Sequence, residues 1–193
     1  MPTRMIIADA AGRVITDTMK TLLTEERIRE GVAQLASEIE SFYREKPLTI
    51  IGILTGSLVL LADLIRRVNM PMRLGLVQAH SYRGTSTTPD LLRINGDFLP
   101  EVRDRDVLLV DDIFDTGGTL MEVMAQIDEL RPRSLRTAVL LLKEGRQQVA
   151  YRPNYTAFTI PDQFVVGYGL DYDDMYRNLP HIAVLEEDEV EKS

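Results

Sequence analysis

Val107-Leu108-Leu109-Val110-Asp111-Asp112-Ile113-Phe114-Asp115-Thr116-Gly117-Gly118-Thr119-Leu120 holds the densest chemistry in the chain. Three carboxylates, Asp111, Asp112 and Asp115, fall within five residues and run straight into Thr116, Gly117, Gly118 and Thr119. A glycine pair lets the backbone come close to a ligand because no Cβ stands in the way. The two threonines add hydroxyl donors. If a helix follows, its unpaired first N–H groups and the positive end of its dipole face the same ligand. A phosphate fits such a loop. Carboxylates repel bare phosphate, so they make sense beside a ligand that also carries a divalent metal or sugar hydroxyls. An acidic turn that only caps a helix is the plainer alternative. Three carboxylates in five residues with Thr-Gly-Gly-Thr attached favour the sugar-phosphate ligand. The stretch lacks the Gly-Lys-Ser/Thr of a Walker loop and the Gly-x-Gly-x-x-Gly of a dinucleotide-binding turn.

The elements that must position these groups follow from periodicity. Residues 107–110 are apolar and half β-branched, which reads as a strand buried on both faces. Leu120, Val123, Met124, Ile127 and Leu130 then sit at helical spacing. Consecutive strand residues point to opposite faces, so Asp111 and Asp112 reach one ligand together only if the strand has ended before them. A second strand-loop-helix begins with Leu48–Leu54, turns at Thr55-Gly56-Ser57 and continues through Leu58, Leu61, Leu64, Ile65 and Val68. It is either a second anion cradle or a plain connection. Lys143 closes a strand over residues 135–142, at the edge where open α/β sheets bind ligands; a solvated strand end is the alternative.

Elsewhere the pattern predicts a helix from the Thr24 cap to about Tyr43, carried by Ile28, Val32, Leu35, Ile39 and Phe42. Strands are expected over residues 72–79, 156–160 and 182–185, with a short one near 5–7. Ser81-Tyr82-Arg83-Gly84-Thr85-Ser86-Thr87-Thr88-Pro89 is long and polar enough to be a lid or an unstructured surface loop. Strands alternating with helices argue for an α/β fold with a mostly parallel sheet.

At 193 residues the chain is expected to be one domain with a sizeable core. Hydrophobic and charged fractions of 45% and 27% are those of a globular protein, and no apolar run has the length of a membrane span. Asp9 interrupts the short apolar run after Arg4, which argues against a signal peptide. Without cysteine there is no disulfide and no thiolate metal site, consistent with a cytoplasmic protein. The net charge of −8 argues against generic nucleic-acid binding. The Glu186-Glu187-Asp188-Glu189 tail reads as a solvated end.

The segment 107–120 resembles the 5-phosphoribosyl-1-pyrophosphate (PRPP) signature of the type I phosphoribosyltransferases. Pro161-Asp162-Gln163-Phe164-Val165-Val166-Gly167-Tyr168-Gly169-Leu170-Asp171-Tyr172 is similar to the purine-binding segment of their hypoxanthine-guanine branch. The resemblance spans roughly residues 22–185. It implies the family fold over 1–193: a twisted, mostly parallel sheet flanked by helices over about 22–160, with a small hood from the N-terminal segment and about 161–185. It also implies transfer of a phosphoribosyl group from PRPP to N9 of hypoxanthine or guanine, giving IMP or GMP and pyrophosphate, with Mg2+ as cofactor.

By the same resemblance Asp115 is the general base at purine N7, and the amides and hydroxyls of Asp115, Thr116, Gly117, Gly118 and Thr119 hold the 5-phosphate. Asp111 and Asp112 bind the ribose hydroxyls and metal. Thr55 and Gly56 form the pyrophosphate loop, with a non-proline cis peptide before Thr55, and Arg177 meets pyrophosphate. Thr55 stands where the family usually has a basic residue. Lys143 donates to the purine 6-oxo group, Phe164 stacks on the ring, and backbone groups of Val165 and Asp171 bind its edge. The Asp171 side chain helps hold a second magnesium. Ser81 and Tyr82 begin a mobile lid. Family members form dimers or tetramers, so a homodimer or homotetramer is implied, with no membrane or nucleic-acid partner. Two rival readings remain: a relative preferring another base such as xanthine, and a non-catalytic nucleotide-sensing regulator that binds RNA on the same scaffold.

Overall fold

Apolar runs in the middle of the chain become strands stacked into one sheet. The computed structural model describes residues 5–8, 14–17, 19–81 and 92–185. In chain order the elements are β1 (Met5–Ala8), β2 (Val14–Asp17), β3 (Lys20–Leu23), α1 (Glu25–Tyr43), β4 (Leu48–Leu54), α2 (Leu58–Ile65) and β5 (Arg73–Ser81). Then follow β6 (Leu92–Phe98), β7 (Asp106–Phe114), α3 (Gly118–Asp128), β8 (Ser134–Lys143), β9 (Tyr155–Ile160), β10 (Val165–Val166) and β11 (Ile182–Val184). The chain divides into two compact units, one of residues 31–162 and one drawn from 1–30 and 163–193.

The larger unit is built on a six-stranded sheet in the order β6-β5-β4-β7-β8-β9. All neighbours are parallel except β5 and β6, which are antiparallel. β4, β7 and β8 carry unbroken apolar stretches because a parallel sheet covered on both faces has no solvent side. β4 leads through α2 outward to β5, whereas its neighbour β7 leads through α3 in the other direction to β8. The sheet order therefore reverses between β4 and β7. Open α/β sheets bind ligands outside the carboxyl ends of the strands at such a point.

α3 buries Leu120, Val123 and Ile127 in a core shared with Ile51, Val107 and Phe114. On α1 the stripe Ile28, Val32, Leu35, Ile39 and Tyr43 is buried, and Thr24 Oγ1 caps the helix by accepting from the Arg27 N–H at 3.3 Å. No helix among the described residues is long and apolar enough to cross a membrane.

β6 is not among the strands expected from the sequence. Leu92-Arg93-Ile94-Asn95 alternates as an edge strand does, but Asn95-Gly96-Asp97 carries turn chemistry and masks the signal. The smaller unit is antiparallel: a β10-β11-β3 sheet and a β1-β2 hairpin. Its own core gathers Met19, Val166, Leu179, Ala183 and Leu185.

Candidate active site

The two strand-loop-helix turns read from the sequence lie at the carboxyl ends of adjacent strands. β4 and β7 pair up to Gly52 opposite Val110 and no further. β7 itself runs on to Phe114, held by β8 through Phe114 opposite Leu142. The strand has therefore not ended at Asp111 and Asp112, contrary to the condition set for both to reach one ligand. The two side chains are placed differently: Asp111 is 8% exposed, while Asp112 is half-buried. Asp112 lies against the neighbouring turn, where a Cβ added at Gly56 would meet its Oδ2 at 1.7 Å. Glycine at position 56 is what admits the carboxylate. Both residues nevertheless line one cavity of about 260 Å³, together with Leu54, Gly56 and the whole of 113–120. The Leu54–Thr55 peptide bond is cis, as the resemblance implied.

Burial, and then the charge of Asp112, push the Asp111 carboxyl well above its ordinary range. Two carboxylates sharing a cavity in this way suit a divalent cation. Among the described residues no cluster of three acidic or imidazole side chains completes a protein-only metal site. One or two carboxylates plus substrate oxygens is the donor set Mg2+ ordinarily takes, so the residues fit that ion.

Gly117 starts α3 as its N-cap in the left-handed conformation, at φ 89°. A Cβ there would stand 2.5 Å from Val149 Cγ2 and 2.7 Å from Phe114 Cζ, so both backbone and space demand glycine. Gly118 differs: a Cβ would meet nothing nearer than Thr116 Oγ1 at 3.9 Å. Its missing side chain is explained by no neighbour in the fold. The α3 N-terminus, the Thr116 and Thr119 hydroxyls and these glycines all line the same cavity.

Asp115 lies on the rim with two cations on it. Its Oδ2 accepts from Lys143 Nζ at 3.1 Å and its Oδ1 from Arg146 Nε at 3.0 Å. Partial burial pushes its carboxyl up, but the hydrogen bonds and charges of Lys143 and Arg146 together hold it below the ordinary range. Lys143 is 7% exposed; its ammonium is also 3.8 Å from Asp162 Oδ1. A buried lysine needs such partners. Sequence reasoning thus brought Asp111, Asp112, Asp115, the loop 116–119, Gly56 and Lys143 into one unit, and the structure gathers them at one sheet edge. It passed over Arg146 and Asp162. Their signal was a second cation three residues after Lys143 and a carboxylate two residues after β9, both beyond strand ends at that edge.

The smaller unit carries the remaining residues. Phe164 is 43% exposed, with its ring 5.6 Å from that of Tyr172 between centroids and at 89° to it, so it does not fill a core. Val165 is buried in β10, opposite Val184. Arg177 pairs with Asp171 at 2.9 Å and Asp174 at 3.1 Å, and it donates to the Gly169 carbonyl at 2.9 Å. Arg177 and Asp171, given separate ligand roles by the resemblance, therefore hold one another here. Gly167, at φ 100°, stands where a Cβ would strike the His181 carbonyl at 2.1 Å, which fixes the turn beyond Val165 and Val166. The Ser81 side chain and Tyr82 of the expected lid lie outside the described residues, as does the acidic tail 186–189.

Comparison with known proteins agrees with this geometry. Residues 18–173 match the phosphoribosyl transferase domain family. The chain is 36% identical over 172 residues to a hypoxanthine-guanine phosphoribosyltransferase of Streptococcus pneumoniae, covering 89% of this chain and 96% of that one. It is 38% identical over 170 residues to the enzyme of the same name from Aquifex aeolicus, covering 88% and 96%. Among solved structures it is similar to a hypoxanthine phosphoribosyltransferase of Trypanosoma cruzi in a ternary complex with substrates, with TM-score 0.81, 37% identity, and coverage of 89% and 97%.

Proposed function

The chain belongs to the phosphoribosyltransferase family, and on that premise we propose that it transfers the 5-phosphoribosyl group of PRPP to N9 of hypoxanthine or guanine, in purine salvage. The N9–C1′ bond forms as the bond from C1′ to the pyrophosphate oxygen breaks. The electron pair leaves with pyrophosphate, and the purine N7 proton passes to Asp115. Cleavage at C1′ passes through an oxocarbenium-like state, as in glycoside hydrolysis.

The observation that carries this reading is the Asp115–Lys143 pair at 3.1 Å on the rim of a glycine-opened helix N-terminus. A carboxylate and a buried ammonium side by side at such a terminus suit a proton acceptor and an oxo-group donor beside a phosphate cradle. Amides and hydroxyls of 115–119 hold the 5-phosphate, and Asp111 and Asp112 take the ribose hydroxyls. Thr55 and Gly56 present backbone to pyrophosphate, which Arg177 also meets. Lys143 donates to the 6-oxo group and leaves a 6-amino group unmatched, a costly mismatch in a dry site. Phe164 stacks on the ring, Val165 and Asp171 supply backbone groups to its edge, and Ser81 and Tyr82 open the lid. Asp111 and Asp112 would hold Mg2+, and the Asp171 side chain would help hold a second ion; such ions would supply positive charge to the pyrophosphate leaving group.

We read the chain as a single phosphoribosyltransferase domain, with its core over about 22–160 and a hood from the N-terminal segment and about 161–185, active in the cytoplasm as a homodimer or homotetramer. Light scattering checks the assembly. The function is tested by supplying PRPP and Mg2+ with a panel of hypoxanthine, guanine, xanthine, adenine and uracil and following pyrophosphate release. Turnover with hypoxanthine or guanine is expected. Release with xanthine or a pyrimidine alone, or salt-sensitive RNA binding without turnover, would replace this reading with one of its rivals.

A further inference from the structure

Four charged side chains, Asp115, Lys143, Arg146 and Asp162, close a ring. Asp115 gives Oδ1 to Arg146 Nε at 3.0 Å and Oδ2 to Lys143 Nζ at 3.1 Å. Asp162 completes the circuit, its Oδ2 3.5 Å from Arg146 Nη1 and its Oδ1 3.8 Å from Lys143 Nζ. Signs alternate around the ring, and each carboxylate shows one oxygen to each cation. The members come from the turn after β7, the end of β8 with its following loop, and the segment after β9.

The same loop also grips the main chain at this turn. Gln147 Nε2 donates to the Asp115 carbonyl at 3.3 Å, and the Gln148 N–H donates to the Thr116 carbonyl at 3.0 Å. Val149 fills the space beside Gly117. Residues 146–149 thus brace both the side chain and the backbone of 115–117.

We propose that Arg146, cross-tied by Asp162, is a positioning residue that keeps Oδ1 of Asp115 engaged so that Oδ2 is the oxygen offered to the purine N7 proton. The inference rests on the phosphoribosyl-transfer reading above. A carboxylate turns readily about its terminal torsion, so without a fixed partner either oxygen could face the base. The Lys143 ammonium has three donors and can turn one to the 6-oxo group while keeping Asp115. The Arg146 guanidinium is a planar fork tied at a second point and holds one plane. Charge balance adds a second effect. With Asp115 ionised, two anions face two cations and the ring is neutral. Once Asp115 takes the proton, a positive excess remains and favours the proton's return. Removing Arg146 shifts both states one charge negative, so Asp115 should hold its proton more tightly. Among the described residues, the charged groups of the ring that face Asp115 are Lys143 from β8 and Arg146 from the following loop, with Asp162 beyond β9 holding both, while Asp111 and Asp112 of β7 line the same cavity.

The test uses Arg146→Gln and Arg146→Lys in the full-length chain. In Arg146→Gln, kcat with hypoxanthine should fall by roughly 10- to 100-fold, the size of a misplaced catalytic group. The KM for PRPP should stay within about twofold, because the lost contact serves the transition state. The acid limb of the kcat/KM profile should move to higher pH. Arg146→Lys should restore that limb, since the charge returns, but only part of kcat, since an ammonium lacks the fork. Asp162→Asn should lower kcat in the same direction, and the double variant should cost less than the two singles multiplied together. Unchanged kcat and an unmoved acid limb in Arg146→Gln would overturn the proposal. If the unaltered protein transfers phosphoribosyl to no purine, it is the functional reading that fails. Carboxyl titration of Asp115 by NMR in the free protein then decides whether Arg146 acts on Asp115: a rise in Arg146→Gln supports the proposal, and no movement overturns it.

Discussion

The adjacent glycines of the phosphate loop should separate a demand of the fold from a demand of the ligand. Gly117 is held at φ 89°, and a Cβ there would press on Val149 at 2.5 Å and on Phe114 at 2.7 and 3.0 Å. Phe114 is 1% exposed and part of the core, so it has nowhere to withdraw. Gly117→Ala therefore pays a left-handed backbone cost of about 1–2 kcal/mol and an overpacking cost of about 1–3 kcal/mol. A total near 3 kcal/mol is a large share of a domain's stability, and it lowers Tm by about 6–12 °C for a chain of this size. Gly118→Ala meets nothing closer than 3.9 Å and falls at the first residue of α3, where alanine is the better helix former. Its Tm should hold or rise by up to about 3 °C, while affinity for PRPP falls because the new methyl stands over the amides that face the phosphate. Thermal unfolding by circular dichroism and PRPP titration by calorimetry measure the two effects separately. A Gly118→Ala protein that binds PRPP normally would refute the assignment of this loop to phosphate. A Gly117→Ala protein of unchanged Tm would refute the steric reasoning.

Three other substitutions bear on the site and its frame. Asp115→Asn should keep PRPP binding and lose turnover by about 10²–10⁴-fold, the usual contribution of a general base; near-normal turnover with hypoxanthine defeats the role. Lys143→Ala should relax or weaken selection among purines, which the ratio of kcat/KM across a base panel reads directly; an unchanged preference counts against it. Asp106 tests the frame. Burial pushes its carboxyl up, but Arg133, just before β8, and Ser134, its first residue, outweigh that and hold it below its ordinary range. A group with a depressed folded pKa contributes stability above its unfolded pKa and loses it as pH falls through the folded one. Asp106→Asn should therefore cost about 1–3 kcal/mol near neutrality, with the gap to the unaltered protein closing as pH drops below the ordinary aspartate range. Tm measured across pH checks this; a gap that stays constant with pH refutes it.

Much of the larger unit is legible in the sequence because its strands are buried on both faces. Leu48–Leu54 is read to the residue, and β7, β8 and α3 to within a few residues at their ends, since a covered parallel sheet writes itself as unbroken apolar runs. Thr24 is legible as a cap because threonine followed by two glutamates has few other uses. The hidden parts are those where local chemistry and final state disagree. β6 carries turn residues within an edge strand, and β3 and β10 are short antiparallel pieces whose partners lie far away in sequence. The extent of β7 is hidden for another reason. Two aspartates look like a strand end, yet pairing with β8 carries the strand through them.

The candidate site divides along the same line. Asp111, Asp112, Asp115 and the two glycines are adjacent in sequence, so composition alone betrays them. Asp162 and Arg146 are visible only as ordinary charges on polar connections, because what gives them meaning is convergence from separate strand ends onto Asp115. A parallel sheet brings every such end to one edge, which makes the first three residues past each strand the place to search. Applied here, that rule selects Gly56 after β4, Asp115 after β7, Arg146 after β8 and Asp162 after β9. Three of these four bear charges that pair with one another, and the fourth leaves room for the Asp112 carboxylate. The chemistry of the site is thus set less by any one motif than by the common direction of four strands.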